Sequence, residues 1–305
     1  MLDLSRFTFL LGTASWGWNT DRNTAFSLLD SWMQKGFRAV DAAVNYPINK
    51  NPADFRAAEK ILTEYIQAHG LRDLQITMKI GSVNNLRSPE NNLTPSFLLM
   101  MAEEYRRIWD NNLACIMIHW DHRNDDASIT ASLDALKTLR DRYGLRLGLS
   151  GIEHPELYRA ANAPFGLSFD IQIKHNVLQS GLGHYKPLFE TGNRFFAYGI
   201  NAGGVKLQGP YPADSTFLLR GGQPDATEAR LQKIRDWLPE WNLAFVRPPL
   251  HAMHQLGLLY AVYTDQIHGA VLGCKNTAQL EETLDYLRDL ETFDYSDVYK
   301  RLQKL

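Results

Sequence analysis

Apolar residues in this chain gather into short runs separated by polar or helix-spaced stretches. The runs are Phe7–Gly12, Phe37–Asp41, Gln75–Lys79, Ala114–His119, Arg146–Ser150, Phe169–Ile173, Arg194–Tyr198 and His268–Leu272. Most are continuous instead of alternating, which predicts parallel strands covered on both faces. Between them, Thr24–Lys35, Pro52–Ala68, Thr94–Trp109 and Ser128–Tyr143 carry apolar residues at helical spacing. Eight strands alternating with helices predict an α/β fold of the (β/α)8 barrel (TIM barrel) type.

The step from Tyr198 to Leu272 is too long for one crossover. It contains the breaker pairs Gly203-Gly204, Gly209-Pro210, Gly221-Gly222 and Pro248-Pro249. We therefore expect a long, partly ordered excursion at the barrel mouth after the seventh strand, then helix from about Leu250. A doubly wound sheet competes with the barrel, but the spacing of Gly12-Thr-Ala-Ser-Trp-Gly17 departs from a dinucleotide-binding GxGxxG, and no GxxxxGK phosphate loop occurs.

Composition narrows the picture without changing it. The 305 residues include 32 basic and 34 acidic side chains, for a net charge of −2, with 45% hydrophobic residues. That balance argues against a nucleic-acid binder and against a disordered chain. The expected organisation is one barrel domain over residues 1–305. Cys115 and Cys274 are far apart and in no metal-like or disulfide pattern. The run Phe7–Leu11 is too short to span a membrane and lacks the flanks of a secretion signal. We expect a cytoplasmic protein with no membrane or nucleic-acid partner, either a monomer or a small homo-oligomer.

In such barrels the chemistry sits at the C-terminal ends of the strands and in the loops that follow. Asp41, Lys79 and His119 each end a run there, and Tyr46 follows Asp41 by five positions. Singly, each has an ordinary reading as a solvated, hydrogen-bonded or packed residue. Together they make a set: an ammonium favours the anion of a nearby tyrosine, a carboxylate keeps a buried lysine charged, and a histidine donates to a carbonyl oxygen. The set suits protonation of a developing alkoxide.

Gly12-Thr13, Asp41-Ala-Ala-Val-Asn-Tyr46, Met78-Lys79, Ile118-His119-Trp120, Gly148-Leu-Ser150, Gln172 and Ala197-Tyr198 resemble, in order and spacing, the signature positions of the aldo-keto reductases. The similarity runs from about Leu10 to Thr283. It implies a barrel that binds NADP(H), with NAD(H) as the alternative, and reduces an aldehyde or ketone, or oxidises the alcohol, with Tyr46 as general acid. Lys79 would lower the tyrosine pKa, Asp41 would pair with the lysine, and His119 would orient the carbonyl. Ser150 and Gln172 would bind the nicotinamide carboxamide, Tyr198 would stack on the ring, and Gly12 and Thr13 would belong to the same cofactor site. Leu272–Thr283 resembles the segment that grips the adenosine 2′-phosphate, so Lys275, Asn276, Gln279 and Glu282 become cofactor-binding candidates, with a helix N-cap an equal reading for Asn276.

The chain departs from that pattern at several positions. Gly151 stands where an asparagine is usual, Gln279 and Thr283 replace an arginine and an asparagine, and Pro47 follows the tyrosine in place of glycine. Gly199-Ile200-Asn201 replaces a Ser-Pro-Leu-like turn, and the usual hairpin at the barrel bottom is expected to be shortened or absent. His119-Trp-Asp-His122 lacks a third ligand at metal spacing, so no metal is expected. Trp120 and Trp16 are expected in an apolar substrate pocket, although buried tryptophans are as often core, and of Trp16, Trp18 and Trp120 only Trp120, next to His119, has positional support. Two other functions remain open: a cofactor-binding regulator with little turnover, and an unrelated barrel using Lys79 for Schiff-base chemistry.

Overall fold

The computed structural model describes residues 2–86, 88, 90–189, 192–212, 215–219 and 221–305. The apolar runs become strands β1 (Thr8–Gly12), β2 (Ala39–Ala43), β3 (Gln75–Ile80), β4 (Leu113–Asp121), β5 (Arg146–Ile152) and β6 (Phe169–Asn176). The two-residue β7 (Gln179–Ser180) folds back antiparallel on β6, and β8 (Arg194–Tyr198) and β9 (Ile267–Leu272) complete the set. Apart from β7, neighbours pair in parallel. β9 pairs with β1, and β5 pairs with β6, so the eight parallel strands close into a barrel.

The crossovers are α1 (Arg22–Gln34), α2 (Ala57–His69), α3 (Pro95–Trp109), α4 (Asp126–Tyr143) and α5 (Pro155–Asn162). Local chemistry sets several of their ends. Asp21 Oδ1 accepts from Thr24 N to cap α1, Asp125 accepts from Ala127 N and Ser128 N to cap α4, and Gly70 and Gly144 end α2 and α4 in the left-handed conformation.

The long excursion is more regular than its breakers suggested. After α6 (Thr216–Leu219) comes the 21-residue α7 (Pro224–Ala244), followed by α8 (Met253–Val262). Leu231, Ile234 and Leu238 of α7 are buried at helical spacing, and packing of that stripe overrides the interior Pro239. Residues 213, 214 and 220 of the excursion lie outside the described residues. α9 (Thr277–Thr292) and α10 (Ser296–Leu302) close the chain's helical layer.

Strand alternation builds two cores. Outward residues such as Leu11, Val40, Ile76, Ile116, Leu149, Ile171 and Leu272 are buried under the helices in one large apolar cluster. The inward row is polar at both ends, with a small apolar layer of Leu10, Phe196 and Val271 between them. Gly269 makes that layer possible, because a Cβ there would stand 2.5 Å from Phe196 Cδ1 and 2.3 Å from the Thr8 carbonyl oxygen. The runs therefore alternate more than they first read: Asp41, Thr77, Cys115 and Arg146 lie across from one another on the inward row.

Candidate active site

The cavity at the C-terminal mouth has a volume of about 740 Å³. Asp41 and His119 lie on the inward row two positions before the ends of β2 and β4, because both strands continue past them. Lys79 lies beneath the cavity with both Asp41 carboxylate oxygens 2.5 Å from its Nζ, both side chains almost fully buried. Gln172 from β6 completes the cluster, donating from Nε2 to Asp41 Oδ1 at 2.5 Å and accepting from Lys79 Nζ at 3.3 Å.

The tyrosine loop folds over this pair. The Tyr46 N–H donates to the Ala43 carbonyl, and the Ala58 N–H at the start of α2 donates to the Tyr46 carbonyl. Lys79 Nζ stands 5.0 Å from the Tyr46 ring centroid. The Tyr46 and His119 rings meet edge to face, with centroids 6.4 Å apart. Tyr46, His119, Trp120, Ser150, Gln172 and Tyr198 all line the cavity.

Burial dominates the electrostatics. It drives the Lys79 ammonium below its ordinary pKa, and the Asp41 carboxylate opposes that shift. Burial, with the Lys79 charge second, holds the His119 imidazole well below the usual histidine range, so the ring is neutral. The Tyr198 phenol is raised by burial first and by Tyr46 second, which leaves a neutral ring in the wall.

The far end of the same cavity is lined by Lys275, Gln279, Glu282 and Thr283. The turn Gly199–Gln208 and the first residues of α8 form the side. His251 and His254 are wall residues that sequence reasoning missed; their only signal was position, at a helix start after Pro248-Pro249. Burial lowers His254, and the Glu282 carboxylate opposes it.

One pocket expectation needs correction, and two cofactor candidates make structural contacts of their own. Trp16 does not line the cavity: it is fully buried in the outer core, with Ala57 of α2 packed against neighbouring Gly17. Thr13 lies outside the wall and ties β1 to β2, its N–H and hydroxyl both donating to the Asp41 carbonyl at 3.1 and 2.9 Å. Asn276 also lies outside the wall and caps α9 by accepting from Gln279 N at 2.9 Å. Gln279 in turn accepts from Lys275 N at 3.0 Å, so this amide helps order the helix start. Gly12 does reach the wall.

Among the described residues, no group of three or more His, Cys, Asp or Glu is placed to hold a metal ion, and no helix is long and apolar enough to cross a membrane.

Comparison with known proteins agrees with this geometry. The solved aldo-keto reductase AKR11C1 from Bacillus halodurans, in its holo form, superposes with a TM-score of 0.70 at 16% identity, covering 97% of this chain and 91% of that one. At that identity the likeness speaks for the fold. No curated protein matches the chain. The sequence profile described as "Aldo/keto reductase family" matches residues 8–301, which takes in every strand of the barrel and the whole cluster at its mouth. The chain belongs to the aldo/keto reductase family.

Proposed function

We propose that this protein reduces an aldehyde or ketone to the alcohol with NADPH, or runs the reverse reaction, with Tyr46 as the general acid. Family membership supports the coarser part of this reading, an oxidoreductase of carbonyl compounds that works with a nicotinamide cofactor. The observation that carries the finer part is the buried Lys79–Asp41 pair under the Tyr46 ring, at the floor of one cavity that extends to Lys275.

The residues present fit a dinucleotide. The cavity is large enough for a cofactor and substrate, has Tyr198 in its wall beside the tyrosine, and reaches the start of α9, where the helix dipole and the Lys275 charge suit an anion. Ser150 and Tyr198 would hold the nicotinamide end, with Gln172 in the same wall fixed on the Asp41–Lys79 pair, and Lys275, Gln279 and Glu282 the adenosine end. When bound, the reduced nicotinamide supplies the hydride.

The chain's own groups handle the proton. Asp41 holds Lys79 charged against burial, and the ammonium beside Tyr46 favours the phenolate left when the hydroxyl gives its proton to the alkoxide. His119 is neutral, and its Nδ1 is buried with no partner among the described residues. A stranded N–H costs more than a stranded lone pair, so the proton belongs on Nε2, ready to donate to the carbonyl oxygen. Trp120 beside it supplies an apolar wall for the substrate. A near-neutral net charge suits an enzyme of small molecules, and among the described residues no helix is long and apolar enough to cross a membrane.

The test is carbonyl-dependent oxidation of NADPH and NADH in parallel. Tyr46→Phe is expected to lower kcat about 10²- to 10⁴-fold with cofactor affinity unchanged. Retention of most turnover would remove the acid from this mechanism.

A further inference from the structure

Trp120 and Gly151 meet across β4 and β5 in an arrangement that ordinary packing does not require. The Trp120 backbone stands at φ 60°, a left-handed conformation that is rare for a bulky residue, and Asn91 Nδ2 holds it there by donating to the Trp120 carbonyl at 2.5 Å. Strain of this kind gathers at ligand-binding sites. The indole lies against Gly151, itself at φ 69°, so closely that a Cβ on Gly151 would come within 2.5 Å of Trp120 Cδ1 and 3.4 Å of Nε1. Any larger residue at 151 would displace the ring. The ring also meets His119, with centroids 4.8 Å apart.

The polar groups around this ring point the same way. The indole N–H donates to none of the described groups, although Trp120 lines the cavity with Ser150 and Gln172. Gly151 contributes no side chain. The Gln172 amide is turned toward Asp41 and Lys79, which hold it from both its donor and its acceptor side. The nicotinamide end of the cavity thus has an unengaged donor in Trp120, while the amide that would otherwise donate there is held by the ion pair.

From this the geometry points to the indole N–H of Trp120 as the hydrogen-bond donor to the carboxamide oxygen of the bound nicotinamide. An indole nitrogen donates and cannot accept, so it pairs with the carbonyl oxygen and not with the amide nitrogen. The contact fixes which way round the nicotinamide lies, and Trp120 acts as a positioning residue. This inference rests on the cofactor reading above.

Calorimetric titration separates the two. The ligands are NADPH and NADH, with 2′,5′-ADP or ADP as the matched fragment that lacks the nicotinamide. Trp120→Phe keeps an aromatic ring and removes the N–H; it is expected to weaken the preferred dinucleotide about two- to tenfold, with the fragment unchanged. Gly151→Ala leaves the indole intact but forces it to move, and the same selective loss is expected. Unchanged dinucleotide affinity in Trp120→Phe, or an equal loss for the fragment, overturns the role of the indole. Wild-type protein that binds neither dinucleotide overturns the cofactor reading itself.

Discussion

At the mouth of the barrel, Lys79 Nζ sits 2.5 Å from both Asp41 oxygens, with the two side chains 1% and 3% exposed. At the opposite end, Asp170 shares its carboxylate between Arg146 and Arg194, which are 39% and 40% exposed. Arg194 grips it with two bonds of 2.9 Å, from Nε and Nη2, and Arg146 adds one of 3.1 Å. The apolar layer of Leu10, Phe196 and Val271 lies between the two clusters. In the lower cluster two partly exposed arginines share one carboxylate, so either arginine is replaceable. Among the described residues, the upper pair has no second ion-pair partner for either member and no open water, and the Asp41 carboxylate is what opposes the loss of the Lys79 proton. A buried pair is weak evidence for stability, because desolvation offsets much of the attraction. Its position under Tyr46 gives a better account of why it is there.

The contrast is broken most directly at Lys79. Lys79→Met leaves the Asp41 carboxylate buried with only Gln172 to donate to it. The expected cost is about 3–5 kcal/mol of stability in denaturant unfolding, together with a fall in kcat of at least about 10²-fold. Wild-type stability in this variant would place the two ends of the barrel on the same footing.

Asp41→Asn sharpens the comparison by pH. Burial lowers Lys79 and the Asp41 charge opposes it. Without that charge the ammonium gives up its proton at lower pH. In the proposed mechanism turnover needs the protonated lysine, so the alkaline limb of the kcat profile is expected to move to lower pH. A limb that stays in place would show that Lys79 does not set it.

The upper cluster was legible in the sequence and the lower one was not, for a physical reason. Asp41, Lys79 and His119 each interrupt an apolar run near its C-terminal end, and in a barrel those ends converge on the mouth. Arg146, Asp170 and Arg194 look like solitary charges near strand starts; only the register that sets Asp170 against Arg194 brings them together. Trp16 failed for a similar reason. An aromatic beside glycine in a mouth loop reads alike for pocket and for core, and here it is fully buried where α2, from a distant part of the chain, packs against the neighbouring Gly17. The α7 stripe was hidden because Pro239 and flanking glycine pairs signal breaks, while burial of Leu231, Ile234 and Leu238 outweighs them.

The smallest expected effect comes from Arg146→Ala. Arg194 still holds Asp170 with two bonds, and the lost pair was partly exposed and screened by solvent. The stability loss should be about 1 kcal/mol or less, read as a fall in Tm of roughly 2–4 °C at most. Neither kcat nor KM should change, because Leu10, Phe196 and Val271 lie between this cluster and the cavity floor. A clear change in KM would mean that charge at the bottom is felt at the mouth through that layer, and the barrel would then hold one coupled charge system instead of two.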